Sequence, residues 1–301
     1  MKILITGATG LIGTELVKLF IEKGHTVHYL TTSQNKIVSK TNYYGYYWNP
    51  EEGKIDENCL IGVDAIIHLA GANIAKRWTN AYKQEIIESR TLSSELLYTV
   101  LKKNPHQVKQ IVSASGTAIY PESFSKVYDE TTTQMDDSFL ANVVLKWEEG
   151  VDRFQGLGVK VCKLRTGVVF ANNGGALPEM VKPIKMGFGA AMGTGKQIQS
   201  WIHIVDLVQL YYLAVQNQWE GVFNAVTPHP ISNAALTKVI AKTLHKTLFL
   251  PNIPQFVMKL ILGEMSILLF SSKNLSALKV KQNGFTFRFP KAQQALENLY
   301  K

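Results

Sequence analysis

The chain has 301 residues, 46% of them hydrophobic and 18% charged. That is enough to bury a large core, and it excludes a disordered chain. The formal net charge is +9, but the basic residues are scattered with no run of five or more, so an anionic small molecule is expected as partner and nucleic acid is not.

Lys2–Thr6 is a short aliphatic run stopped by glycine and reads as a buried parallel strand. Leu11–Lys23 carries apolar residues at near-helical intervals, with Gly24 as its stop. Thr26–Thr31 is the next strand. The tyrosine-rich stretch Ser33–Gly53 reads as a loop with an irregular or edge strand. Ala65–Leu69 is a strand, Arg77–Lys102 a long helix, Gln110–Ala114 a strand, Phe139–Phe154 a helix and Val159–Arg165 a strand. This alternation predicts an α/β fold, a Rossmann-type doubly wound parallel sheet. Residues 1–170 are assigned to a dinucleotide-binding domain. Residues 171–301, richer in proline and with helices near Asn233–Leu244 and Gln255–Leu269, form mainly a smaller substrate-binding lobe, partly interleaved with the first.

Cys59 and Cys162 stand far apart among apolar neighbours, without metal-ligand spacing. No disulfide framework and no metal are expected, which fits a cytoplasmic protein. The first apolar run is broken by Thr6, Gly7 and Thr9, so it is no signal peptide. Phe256–Phe270 is interrupted by Lys259, Gly263 and Glu264. It is too short and too polar to span a bilayer, and no membrane partner is expected. An amphipathic helix with an exposed or substrate-facing side fits it better.

The segment from Thr6 to Gly13 places glycines at 7, 10 and 13, directly after a strand and at the opening of a helix. Gly7 allows the tight turn, Gly10 lets a pyrophosphate approach, and Gly13 lets helix and sheet pack closely. Backbone N–H groups across Thr9, Leu11 and Ile12, with the positive helix end, then face an anion. This points to a nicotinamide dinucleotide.

The Gly-x-x-Gly-x-x-Gly spacing resembles the extended and atypical short-chain dehydrogenase/reductase superfamily. The resemblance continues through His68-Leu-Ala-Gly71, the segment from Ser113 to Tyr120, Leu164–Val169 and Trp201–Asp206. Arg77-Trp-Thr, Ser89-Arg90, Lys146-Trp-Glu148 and Gly221–Asn224 narrow it to a subgroup similar to NAD-dependent epimerase/dehydratase and nucleoside-diphosphate-sugar epimerase proteins. From this resemblance, Leu69, Ala70 and Gly71 are expected to line the cofactor, with Arg90 and Glu85 assisting from the long helix. The second strand ends in Thr31, Thr32, Ser33 and Gln34 with no carboxylate for a ribose 2′-OH, so NADP is favoured over NAD. Hydroxyls of Thr31, Thr32 and Ser33, with Lys36, suit a 2′-phosphate, although subgroup members often carry arginine where this chain has Thr32.

The superfamily's acid/base pair is Tyr-x-x-x-Lys on one helix face. Here two alignments are open. Lys146 matches the lysine with Asn142 in the tyrosine's place, or Glu148 matches the family's glutamate and the pair falls on Leu140 and Val144. Either way the tyrosine is absent. Ser115, Tyr120 and Lys146 remain the catalytic candidates, with Lys146 also reaching a cofactor ribose. Thr117 and His203 stand nearby, and Asp206 is expected to cap the following helix. Arg165, and Lys196 at the end of a glycine-rich stretch, are candidates for a substrate cleft. The resemblance implies an NADP-binding oxidoreductase or epimerase acting on a small polar or nucleotide-sugar-like substrate. The alternative is a dinucleotide-binding regulator or scaffold with little or no catalysis. Superfamily members often dimerise, and a homodimer is carried as an expectation from that alone.

Overall fold

The structure, a computed structural model, describes residues 1–301. Seven strands make the framework: β1 (Lys2–Thr6), β2 (Thr26–Thr31), β3 (Tyr43–Asn49), β4 (Ala65–His68), β5 (Gln110–Gly116), β6 (Lys160–Thr166) and β7 (Gly221–Ala225). Their order across the sheet is β7-β6-β5-β4-β1-β2-β3, all parallel, with Ser39–Lys40 and Lys54–Ile55 added antiparallel against β3. The Rossmann-type expectation holds. The central strands are aliphatic on both faces because helices cover both.

Helix α1 (Leu11–Glu22) lies on one face beside a helix from the C-terminal half, while α2 (Asn80–Lys103) and α3 (Phe139–Asp152) cover the other. The C-terminal half supplies α4 (Ala176–Lys185), α5 (Ile204–Gln216), α6 (Asn233–Thr243), α7 (Gln255–Leu262) and α8 (Ala292–Tyr300). Its own core joins Phe170 and Trp201, stacked at 4.4 Å, to Leu177, Leu236, Ile240 and Leu296. The interleaving is specific. The chain leaves the sheet after β6, returns through α5, which packs against α1, and adds β7 to the sheet edge.

One local expectation is sharpened and two are corrected. The tyrosine-rich stretch holds the edge strand expected there, but as a full seven-residue parallel strand, its aromatics packing against β2 with Tyr29 and Tyr43 stacked at 4.4 Å. The helix expected over Gln255–Leu269 breaks at Gly263, whose φ of +60° ends α7, and a 3₁₀ turn and the short helix Ile267–Phe270 follow. Asp206 does not cap α5. His203 does, accepting from the Val205 N–H at 3.1 Å, while the buried Asp206 carboxylate accepts from Arg288 and Phe289 N–H groups at 2.8 and 3.0 Å.

Candidate functional site

Strand β1 delivers the chain into the glycine turn, and the turn is built for glycine. Gly7 sits at φ +68°, and a Cβ there would meet the Leu69 backbone at 3.1 Å. A Cβ on Gly13 would lie 2.2 Å from the Gly7 carbonyl oxygen and 2.6 Å from Ala8 Cα. Gly10 is exposed and caps α1 with no side chain, and the first turn of α1 contains no acid. The opening N–H groups of α1 are therefore left for an external acceptor. Thr9 is exposed beside them, and Leu11 and Ile12 are half-buried.

Thr6 ties this turn to the end of β4. Its Oγ1 accepts from the Leu69 and Ala70 N–H groups at 3.0 and 3.1 Å and lies 2.9 Å from His68 Nδ1. Burial, with the nearby charge of Arg90, depresses the His68 pKa to about 4. The ring is therefore neutral near pH 7. The Thr6 hydroxyl donates to Nδ1, and Nε2–H faces Ser93 Oγ at 3.3 Å. The sign for stability follows. An unfolded histidine takes up its proton near pH 6.5, and the folded one only near 4. Stability is present above 6.5 and is lost as pH falls from there toward 4, by up to about 3 kcal/mol from this residue. His203, also depressed to about 4 by burial and then by Arg288, acts in the same direction. Urea unfolding across pH 4–7 is expected to show this slope, and His68→Gln to reduce it by about half, His203 supplying the rest. A wild-type profile flat between pH 6.5 and 4.5 would contradict the assignment.

Arg90 packs its guanidinium against Gly71, where a Cβ would meet Cζ at 3.0 Å, and over Trp147 at 4.9 Å. It donates to the Ile86 and Ala72 carbonyls, no carboxylate pairs with it, and its buried Nε is left without a partner. Burial lowers its pKa to about 10, so it still carries its charge. An unneutralised cation and an orphaned donor behind the Leu69–Gly71 edge fit an anionic ligand. Glu85 is exposed one turn earlier with no hydrogen-bond partner. At the end of β2, Thr31 is buried and accepts from the Ser33 N–H, while Thr32 and Lys36 are exposed and no acid is present.

The catalytic candidates do not come together. Val144 faces the sheet, close enough that a Cβ on Gly116 would meet it at 2.9 Å, and Glu148 follows one turn later on that face. Lys146 lies two residues, roughly 200°, round the helix from Val144. It is exposed, as is Asn142. Lys146 is thus on the outward side of α3, and the register that points inward carries Leu140 and Val144.

Ser115 is buried and donates to Glu148 Oε1 at 2.5 Å. Arg165 makes a bidentate pair with the same carboxylate at 2.8 and 2.9 Å, and Lys163 stands 3.6 Å away while pairing with Asp152. Burial would push the Glu148 carboxyl up, but hydrogen bonding and charge from Arg165, with Ser115 and Lys163, hold it below the usual glutamate range. Tyr120 is buried too, donating to Asn224 Oδ1 at 2.8 Å beneath the Arg165 guanidinium. Burial pushes its phenol up to about 12 against the opposing charge of Arg165. Ser115, Tyr120 and Arg165 therefore form an internal brace between β5, β6, β7 and α3. Thr117, two residues past Ser115, is half-buried at the strand end and its hydroxyl makes no protein hydrogen bond. Lys196 is exposed. An open cavity of about 520 Å³, lined by Lys2, His28, Tyr44 and Tyr46, lies toward the N-terminal ends of β1, β2 and β3, at the other end of these strands from the glycine turn.

A parallel sheet in this order, with a glycine turn between β1 and α1 that leaves the first helical N–H groups open, defines a Rossmann-type α/β protein. The profile of the NAD dependent epimerase/dehydratase family matches residues 3–225, and a domain of unknown function, DUF1731, matches residues 253–299. The chain belongs to the NAD dependent epimerase/dehydratase family. It is 34% identical over 304 residues to Epimerase family protein SAR0825 of Staphylococcus aureus (strain MRSA252), covering 98% of both chains. It is 32% identical over 300 residues to Epimerase family protein YfhF of Bacillus subtilis (strain 168), covering 99% of this chain and 98% of that one. Among solved structures, the human epimerase family protein SDR39U1 (isoform2), crystallised with NADPH, superposes with a TM-score of 0.87 at 29% identity, covering 100% of this chain and 99% of that one. No helix of the chain is long and apolar enough to cross a membrane.

Proposed function

We propose that the protein binds NADP(H) in the cleft above β1, β2 and β4 and acts as an oxidoreductase or epimerase on a small-molecule substrate. The observation that carries this is the cradle itself, where Gly7 and Gly13 hold the turn tight against backbone and Gly10 opens α1 with no side chain and no acid to fill its N-terminus. Thr9, Leu11 and Ile12 would supply N–H groups to it. Thr31, Thr32, Ser33 and Lys36 would receive the 2′-phosphate at a strand end free of acid. Leu69, Ala70 and Gly71 would line the opposite wall, with Arg90 providing unneutralised positive charge behind it. Glu85 would accept from a cofactor hydroxyl. The NADPH bound to human SDR39U1 supports the choice of NADP over NAD.

The bound cofactor would supply hydride chemistry. The protein's part is to hold and orient. Thr117, with the free hydroxyl at the end of β5, is the group best placed to hold a substrate oxygen, because Ser115 is committed to Glu148. Assay of NADPH oxidation against a panel of carbonyl compounds and sugar nucleotides tests the reading. Thr117→Val is expected to lower kcat/KM at least about tenfold, as loss of a substrate hydrogen bond does, with NADPH affinity unchanged. Tight NADPH binding with no turnover across the panel would favour a second reading, a cofactor-binding regulator or scaffold. Leu140 and Val144, neither able to move a proton, are the observation in its favour.

A further inference from the structure

Eleven of the sixteen residues from Gln255 to Phe270 are large and apolar, and none of the eleven is buried. Phe256, Leu260 and Ile261 are 70%, 89% and 66% exposed. A segment so rich in apolar side chains and so poor in packing has low local stability. Its two ends, in contrast, are fixed. At one end, Ile253 N–H donates to the Ala191 carbonyl and its own carbonyl accepts from Gly193 N–H, at 2.9 and 2.8 Å. At the other, Ser272 is fully buried. Its hydroxyl donates to the Ser123 carbonyl at 2.7 Å and accepts from Ile198 N–H at 2.8 Å.

Between these anchors, one polar tie joins the segment to the sheet domain, the ion pair of Glu264 with Lys83. Its position matters. Lys83 lies in the first turn of α2, and its Nζ is 5.3 Å from the centre of the Phe139 ring, the residue that opens α3. Trp78 meets the same ring edge-on at 5.2 Å. Helices α2 and α3 start above the C-terminal ends of β4 and β5, where Gly71 and Thr117 lie, and Ser123 belongs to the segment that follows β5. The span from Ile253 to Ser272 thus crosses from the C-terminal lobe to the rim of the dinucleotide cleft and back. Gly263, at φ +60°, places a bend next to the tie.

We propose that Gln255–Phe270 is a lid over this cleft, hinged at Ile253 and Ser272 and latched by Lys83–Glu264, which opens for exchange of the bound dinucleotide and its co-substrate. The proposal rests on the dinucleotide reading of the cleft. The latch is partly exposed, with Glu264 65% and Lys83 23% accessible, so it biases the lid and does not lock it.

Two measurements on the full chain test it. Chymotryptic cleavage after Phe256 or Leu260 reports lid opening without any cofactor. Lys83→Glu and Glu264→Lys are each expected to speed it about two- to fivefold, and the double exchange to return it toward wild type. Separately, Lys83→Cys/Glu264→Cys joined by a short bismaleimide leaves the buried Cys59 and Cys162 untouched. NADPH release from the joined protein, followed by nicotinamide fluorescence, is expected to slow at least about tenfold. Unchanged cleavage in the single variants, or wild-type release from the joined protein, would overturn the lid alone. Wild-type protein that binds no NADPH would overturn the dinucleotide reading and the gate with it.

Discussion

Gly13→Ala is expected to abolish measurable dinucleotide binding and to destabilise the protein together. The added Cβ would fall 2.2 Å from the Gly7 oxygen and 2.6 Å from Ala8 Cα. Both are backbone atoms of the turn, so no side chain can move aside. The turn and the first helical turn must separate, which misplaces the N–H groups of the cradle. A loss of at least about a hundredfold in NADPH affinity, near 3 kcal/mol, and about 1–3 kcal/mol of stability should follow. Gly10→Glu provides the contrast. Gly10 is exposed, with only the Gly7 oxygen near its Cβ, so the fold should survive while a carboxylate occupies the anion position. Fluorescence titration and urea unfolding separate the two outcomes. A Gly10→Glu protein that bound NADPH normally would show that the turn is not the phosphate site.

Glu148→Ala is expected to be the most damaging change outside that turn, at about 3–5 kcal/mol. It leaves the Arg165 guanidinium buried without its bidentate partner and strands the Ser115 hydroxyl. Removing both charges is a different matter. Glu148→Leu with Arg165→Met replaces the pair by apolar groups of similar volume, and much of the loss should return. Glu148 is also expected to make the protein acid-sensitive. Its pKa is lowered in the fold, so its stabilisation is present above the ordinary glutamate value near 4.5 and disappears as pH falls below it. Urea unfolding followed by tryptophan fluorescence at pH 7 tests the single and the double change. Equal stability of Glu148→Ala and wild type would mean that the brace contributes nothing.

These two sites show what local sequence can and cannot reveal. The glycine turn was legible because backbone conformation and near-neighbour sterics dictate it, and all of its clashes arise within residues 7–13 and from Leu69. The central strands were legible because both of their faces are apolar. The sequence leaves two registers open on α3, and helical periodicity separates them by face. The stripe of Ala141, Val144, Trp147, Glu148 and Val151 marks the inward side of α3, and Lys146 lies off it. The signal for β3 was also present, since five of its seven residues are aromatic and aromatics favour strands. The brace was not legible. Glu148 and Arg165 meet only because α3 packs behind β6, and a glutamate beside another glutamate on a helix reads as solvent-facing. His203 displaced Asp206 as the helix cap for a similar reason, because the Asp206 carboxylate is claimed by N–H groups 82 and 83 residues away.

Titration of the wild-type protein with NADPH and, in parallel, with NADH is the most direct test of the central claim. Saturable binding of both, tighter for NADPH, is the predicted result, because the end of β2 offers hydroxyls and Lys36 to a 2′-phosphate and no carboxylate to a 2′-hydroxyl. Tighter binding of NADH, or no binding of either, would contradict it.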